Sequence, residues 1–361
     1  MNIVMDRKTL LDALNKVSTV IPSNSPMPVI QGVLIVADEK VTFIGTDLEK
    51  TMYVEKTAQV EEKGSIVIPL KQFQSAVSKF TADEVKIKVK ENAAKITCGT
   101  AKMNLSGYVM EDFPQNPLPE CPSVFGMKDT EFCRMLKLVS FCVTENETRE
   151  ALRHILFKLN EKKFSCVSTD GRRLALYDKQ IEIVETMEVL IPSETLADLR
   201  KILKVEDKQI TMKYGESAVI FEIDDVVLVS KICTGKFPDF EKVIPSDKDL
   251  DKKVVIDRAK LLSAIELVIV ALKNNMVIEM TFAEDKLTVS GIESDADGSE
   301  IVPLDYKEQQ YVIKFNPKYL LEVLRNMDEK EITMKFNSSM PIAPAMVTNE
   351  KEYRYVVMPL K

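Results

Sequence analysis

Two periodicities alternate along the chain. Apolar residues at every second position mark short stretches such as 85–89, 210–213 and 218–223, and predict strands. The stretch LRHILFKL (152–159) alternates in the same way. Six longer stretches carry apolar residues at 3.6 spacing and predict helices. The first leads from Asp6 into Leu10, Ala13, Leu14 and Val17. The others are KQFQSAVSKF (71–80), 128–142 with Phe132, Met135, Leu136 and Val139, 192–204, a run from Asp257 through Leu261, Ala264, Ile265 and Val268, and 316–327. In 192–204 the expected buried stripe is Leu196, Leu199, Ile202 and Leu203. Asp6, Asp257 and, one residue out of step, Asp129 are placed to accept from the free N–H groups of a first turn. Asn316 followed by Pro317 is a cap with proline at the first helical position.

The order of these elements recurs. An apolar strand runs into a helix at Pro69, Pro192 and Asn316, positions separated by 123 and 124 residues. Thr46-Asp47 and Thr169-Asp170 each follow a strand, 123 residues apart. Asp112-Phe113-Pro114 is matched 124 residues on by Lys236-Phe237-Pro238. With 361 residues in all, the period predicts three structurally similar domains, 1–120, 121–246 and 247–361. The stretch 111–122 holds four prolines and SDKDLDKK (246–253) is charged but for Ser246 and Leu250, so both read as linkers. Two helices among short alternating strands predict an α+β class, each domain with two helices packed on antiparallel sheets.

Composition narrows the chemistry. One histidine and six dispersed cysteines (98, 121, 133, 142, 166, 233) build no metal cluster, and the cysteines read as reduced core residues. His154 reads as a strand residue rather than a base or ligand. No P-loop, GxSxG or HExxH motif is present, and neither cofactor nor metal is expected. The opening residues have no apolar h-region and the apolar run 267–272 is too short for a bilayer, so a cytoplasmic protein is expected. The net charge of −7 argues against holding nucleic acid by bulk electrostatics. Positive charge nevertheless collects on the helices away from their apolar stripes. It falls on Lys8 and Lys16 in the first, Arg134 and Lys137 in the third, and Arg200, Lys201 and Lys204 in the fourth. In the last helix Lys318 and Arg325 share a face with Glu322. These are either solvated helix surfaces or a phosphate-facing surface inside an acidic protein.

The most informative stretch is FSCVSTDGRRLALYD (164–178), two short strands about a Thr169-Asp170-Gly171 turn. Its centre TDGRRLA, the segment KFPDFEKVIP (236–245), the terminal YVVMPLK and the three repeats together resemble the bacterial DNA sliding clamp, the beta subunit of DNA polymerase III. The resemblance covers the whole chain. It implies the DNA clamp fold, each chain half of a ring, in a head-to-tail homodimer of six domains. Strands would form the outside and helices would line a hole around duplex DNA. The implied role is non-catalytic, tethering the replicative polymerase. That polymerase, the clamp loader and other repair or replication proteins would insert short peptides into an apolar pocket on domains 2 and 3. The matching positions are Leu152, Thr169, Gly171, Arg172, Arg173, Leu174, Pro238, Val243, Tyr319, Pro344, Val356 and Met358, with Arg149 beside them. Without the resemblance, Leu174, Val243, Val356 and Met358 read as plain core. Subunit contacts are implied at Met103 and Leu105 and at Ile269 and Val270.

The chain departs from the family where loops touch DNA. Asn24 stands where a basic residue is common, and so does the region of Ser193, while the Asn146 amide is still able to hydrogen-bond a phosphate. Lys361 also ends the chain differently. Two alternatives stay open at this point. One is an enzyme using Asp170 with Arg172 and Arg173 as a phosphate-handling site; the other is a specialised clamp copy serving another polymerase.

Overall fold

The computed structural model describes residues 1–115, 117–144, 148–160, 162–182, 186–272, 277–292 and 296–361. The six expected helices are α1 (Arg7–Val17), α2 (Leu70–Lys79), α3 (Asp129–Val139), α4 (Ser193–Ile202), α5 (Arg258–Val268) and α6 (Pro317–Asn326). The chain folds into two compact units, one of Met1–Cys133 with Glu194–Ile232 and the other of Arg134–Ser193 with Cys233–Lys361. The second repeat is therefore divided, because its strands hydrogen-bond to strands of its neighbours.

In the first unit, Val226–Lys231 of the second repeat pairs with Lys50–Lys56 of the first, Leu228 facing Met52. This join makes an eight-stranded sheet ordered Ser123–Lys128, Gln209–Tyr214, Ala218–Ile223, Val226–Lys231, Lys50–Lys56, Val41–Thr46, Gly32–Ala37, Gly64–Pro69. A five-stranded sheet accompanies it, with Ala101–Ser106 at one edge. In the second unit, Arg173–Gln180 pairs with Tyr353–Val357 of the third repeat, Ala175 facing Tyr355. That join makes a second eight-stranded sheet, beside a four-stranded one with Asp297–Pro303 at its edge. All strand pairings among the described residues are antiparallel.

One turn is used three times. The threonine hydroxyl donates to a carbonyl across the turn at Thr46 (to Lys50, 2.8 Å), Thr169 (to Arg173, 2.6 Å) and Thr348 (to Tyr353, 2.6 Å). The next residue, Asp47, Asp170 or Asn349, accepts backbone N–H groups through its side chain. The residue after that lies at positive φ: Leu48 at 80°, Gly171 at 84° and Glu350 at 61°. Only the middle copy uses glycine, the residue that takes this conformation without strain.

At each join the turn also delivers a cation to the following repeat. Lys50 meets Asp198 of α4 at 2.5 Å, both side chains over nine-tenths buried. Arg173 meets Glu322 of α6. Lys50 and Arg173 are 123 positions apart, Asp198 and Glu322 are 124, so the pair itself repeats. Burial works against the charge on Lys50, but its hydrogen bond to Asp198 together with the charges of Asp198, Asp47 and Glu194 outweighs that, leaving the pKa raised.

Two local expectations are corrected. Asp129 is not a cap of its own helix. It is the first residue of α3, buried, and its carboxylate accepts the backbone N–H groups of Glu206 (2.9 Å) and Lys208 (3.1 Å). Along α4, Leu196 and Leu199 are buried as expected, but Ile202 and Leu203 are half-buried. Thr195 and Asp198 turn inward instead, because Ser230 and Lys50 receive them. Asp6, Asp257 and Asn316 cap as expected, accepting from Thr9, Lys260 and Lys318. His154 is half-buried in a strand, its Nδ1 2.8 Å from the Glu150 carbonyl. The six cysteines are free. Among the described residues no helix is long and apolar enough to cross a membrane.

A charge network ties α1 to the joined sheet of the first unit. Lys16 bridges Asp12 (3.1 Å) and Asp225 (2.7 Å), and Lys56 bridges the same two at 2.6 and 2.5 Å. Burial alone would raise both carboxyls, but hydrogen bonds from Lys56 and Lys16 hold them below the ordinary Asp value. A depressed folded pKa gives stability that is present above the unfolded Asp pKa, about 3.9, and lost as pH falls through the folded one. The urea midpoint should therefore fall steeply as pH drops from about 5 to about 3, and Lys56→Met should flatten that dependence. An unaltered slope in the variant would show that the network is not linked to folding.

Candidate functional site

Period-two alternation along Arg173–Gln180 sends Leu174 and Leu176 to one face of the sheet and Arg173, Ala175 and Tyr177 to the other. On the first face Leu174 and Leu176 join Leu152, Leu156, Val167, Leu190 and Val356 in one buried cluster. Phe237 and Phe240, edge to face at 6.4 Å, close over it from the KFPDF segment, with Ile244 packed alongside. The segment is anchored where Cys233 N–H donates to the Leu190 carbonyl at 3.0 Å.

Every residue expected in the apolar pocket lies in the second unit. Leu152, Leu174 and Val356 are in the cluster. Thr169 is buried in the turn. Pro238 and Val243 flank the phenylalanines that cover the cluster and are exposed, Val243 at 47%. Met358, 39% exposed, donates its N–H to the Arg172 carbonyl at 3.0 Å, which brings the C-terminal segment against the turn. Pro344 is half-buried beside Ala345, whose strand pairs with Val357. Gly171 and Arg149 are exposed and close, since a Cβ on Gly171 would stand 2.9 Å from the Arg149 guanidinium. Arg172 is exposed as well. The result is an apolar floor with partly exposed Met, Val and Pro around it and two arginines at one end.

Arg173 does not stand at that rim. Strand alternation puts it on the face opposite Leu174, and its side chain is 6% exposed. It donates to Asp170 (Nε, 2.9 Å), the Phe141 carbonyl (Nη2, 2.9 Å) and Glu322, with the guanidinium 4.5 Å from the centre of the half-buried Tyr319 ring. Asp170 is equally committed, accepting from the N–H groups of Arg172 and Arg173. Asp170 and Arg173 thus hold the turn together, and a phosphate-handling role for them has no geometric support.

Sequence reasoning passed over Phe237, Phe240 and Glu322. The aromatic pair was legible in KFPDF, whereas Glu322 is recognisable only once the joins are seen. It also passed over a cavity of about 800 Å³ farther along the same sheet face, sharing Leu176 and Phe240 with the cluster. Charged residues such as Lys163, Asp178, Glu241, Lys335 and Arg354 line it, and none of the expected pocket residues does.

The helix cations are mostly matched by carboxylates. Lys16 is 11% exposed within its network. Arg134 meets Glu329 (3.1 Å) and Glu352 (2.5 Å), Lys137 meets Asp328 (2.5 Å), Lys201 meets Asp198 (2.9 Å) and Lys204 lies 3.8 Å from Asp12. Lys8 and Arg200 are exposed. A surface pair such as Lys137–Asp328 is worth about 0–1 kcal/mol, whereas the acids that meet Arg134 and Lys201 are themselves mostly buried. Asn146 lies outside the described residues, Asn24 and Lys361 are exposed, and Ser193 is the first residue of α4. Met103 and Leu105 are half-buried on the edge strand Ala101–Ser106. Ile269 is half-buried just past α5, and Val270 beside it is 80% exposed.

Comparison with known proteins points to one family. Family models of the DNA polymerase III beta subunit match in succession, the N-terminal domain at 1–117, the central domain at 126–239 and the C-terminal domain at 241–361. The beta sliding clamp of Chlamydia pneumoniae is 26% identical over all of this chain and 99% of its own length. That of Staphylococcus aureus strain N315 is 26% identical over 94% of each. The Pseudomonas aeruginosa clamp crystallised with griselimycin superposes with a TM-score of 0.94 at 25% identity, covering 100% of this chain and 99% of that one. The Caulobacter crescentus beta sliding clamp does so at 0.92 and 26%, with the same coverage. Three successive domain matches over nearly the whole length establish that the chain belongs to the family of the DNA polymerase III beta subunit, the beta sliding clamps.

Proposed function

We propose that two copies of this sliding clamp, a processivity factor and not a catalytic enzyme, close head to tail into a ring around duplex DNA. The observation that carries the reading is the pattern of joins. Lys50–Lys56 pairs with Val226–Lys231, and Arg173–Gln180 with Tyr353–Val357. The remaining strands at equivalent places in the repeat are Asp297–Pro303 and Ala101–Ser106, and both are sheet edges. A third join of the same kind needs the Ala101–Ser106 edge of a second copy, and such a heterologous contact closes into a ring when the rotation permits. Ile301, 55% exposed, and Val270 are apolar groups that this contact would cover. Domains 1–120, 121–246 and 247–361 would then each appear twice, giving six domains around the ring.

In this reading the apolar floor around Leu152, Leu174 and Val356 takes a short extended peptide from the replicative polymerase, the clamp loader or other repair and replication proteins. Apolar side chains would enter between Pro238, Val243, Tyr319, Pro344 and Met358, while Arg149, Arg172 and turn backbone at Thr169 and Gly171 fix the chain. The helix cations Lys8, Lys16, Arg134, Lys137, Arg200, Lys201 and Lys204 face the duplex, Lys16 acting through its field rather than by contact. The protein works in the cytoplasm, where replication takes place.

Two experiments separate the parts of this proposal. Ile269→Asp with Val270→Asp should give a folded monomer, because an unpaired charge buried in an interface is costly. A sedimentation coefficient unchanged from the wild-type dimer would contradict the join. Val243→Asp with Met358→Asp should leave the dimer intact and weaken griselimycin, the ligand held by the Pseudomonas clamp, by about tenfold or more. Equal affinity in the titration calorimeter would contradict the pocket.

A further inference from the structure

We infer that Glu322, on α6, is a positioning residue for the peptide pocket, acting through Arg173; the inference rests on the pocket reading above. Arg173 is the one residue that touches both faces of the problem. Its side chain is under the sheet, against Glu322, Asp170, the Phe141 carbonyl and the Tyr319 ring. Its backbone is in the turn. The Arg173 carbonyl accepts the Thr169 hydroxyl at 2.6 Å, and its N–H donates to Asp170 at 3.0 Å. Its chain neighbours are Arg172, whose carbonyl accepts the Met358 N–H, and Leu174, in the pocket floor. Tyr319, another pocket residue, stands one turn before Glu322 on α6.

A guanidinium buried among these groups keeps its place only while its acids are present. Asp170 belongs to the same turn and moves with it. Glu322 does not, since it sits on a helix of the next repeat, so it fixes the turn relative to α6. Without the Glu322 carboxylate, a buried cation loses one of two acid partners and must shift or admit water. Either response displaces Leu174 and Met358 on one side and Tyr319 on the other. The first unit contains the same device away from the peptide-pocket residues. Lys50 reaches Asp198 from the equivalent turn, and the pocket residues are all in the second unit. Asp198→Asn therefore removes an equivalent join acid while leaving the pocket untouched.

The test compares Glu322→Gln and Asp198→Asn in the full-length protein. Griselimycin affinity is measured by calorimetry and stability by thermal unfolding, with Val243→Asp/Met358→Asp as the pocket control. Both substitutions should lower the melting midpoint, whereas griselimycin should weaken about tenfold in E322Q and stay within about twofold in D198N. Glu322→Asp, which keeps the charge, should recover most of the affinity. A merely structural role predicts equal affinity in E322Q and wild type, and that result overturns the inference while the pocket control still stands. Equal weakening in E322Q and D198N overturns it too, because the effect would then be general loss of stability. No binding by wild type, or binding indifferent to the pocket control, overturns the pocket reading and this inference with it. Should E322Q fail to fold, Arg173→Lys is the second variant. It keeps the charge but loses the planar fork that reaches Asp170, Glu322 and Phe141 together. It should show the same weakening, and unchanged affinity in it overturns the inference.

Discussion

The fold depends on cations carried across each join between repeats. Lys50 and Arg173 leave a tight turn in one repeat and end on a carboxylate in the helix of the next. Hydrophobic burial drives the strands together and sets which face turns inward, but it distinguishes poorly against a two-residue slip that keeps the pattern. A buried charge is not indifferent to such a slip, because breaking such a pair strands a partner at a cost of about 3–5 kcal/mol. The pair therefore admits one registration of turn against helix, and with it one alignment of the strands that continue the sheet. Met52 opposite Leu228 and Ala175 opposite Tyr355 follow from that alignment. So does the division of the second repeat between two compact units, since each of its sheets is completed by a different neighbour.

Much of this was legible in the residues. Six amphipathic stretches became six helices, and three of the four expected caps accept from their own first turns. Periodicity reports which side of an element is apolar, and the apolar side is what packs. What it could not report is which strand of one repeat meets which strand of another, because that pairing is non-local and both strands look alike. Asp129 was misread for the same reason, its acceptors being taken by the 206–208 backbone, far away in sequence. Arg173 was a different kind of miss. Strand alternation forbids it to share a face with Leu174, so the sequence already contained the answer, and the paired arginines of the motif concealed it. The charge of the helices was visible, as was Asp12 one turn before Lys16, but Asp225 and the carboxylates that meet Arg134 and Lys137 come from other elements and were not.

That pairing of helix cations suits a clamp. A protein with net charge −7 that pairs surface lysines such as Lys137 and Lys204 with its own acids would offer phosphates weak and exchangeable partners. Strong contacts would fix a register on DNA, and sequence-blind weak ones permit movement along it. Retention must then come from encirclement. The candidate peptide pocket is built from the opposite chemistry, an apolar floor laid on the sheet face away from Arg173 and Tyr355. The pocket floor and the join share one strand: one face supplies Leu174, the other supplies the ion pair.

The measurement that tests this account most directly is retention on DNA whose topology is varied. The protein is loaded by its matching clamp loader onto nicked circular DNA, and the same DNA is then linearised or left closed before a wash at raised salt. An electrostatic binder making 6–10 phosphate contacts would lose roughly 10³–10⁵ in affinity between 50 and 200 mM salt on either template. The account predicts that the protein survives the wash on circles and is lost from the ends of linear DNA. Equal loss from both would contradict encirclement.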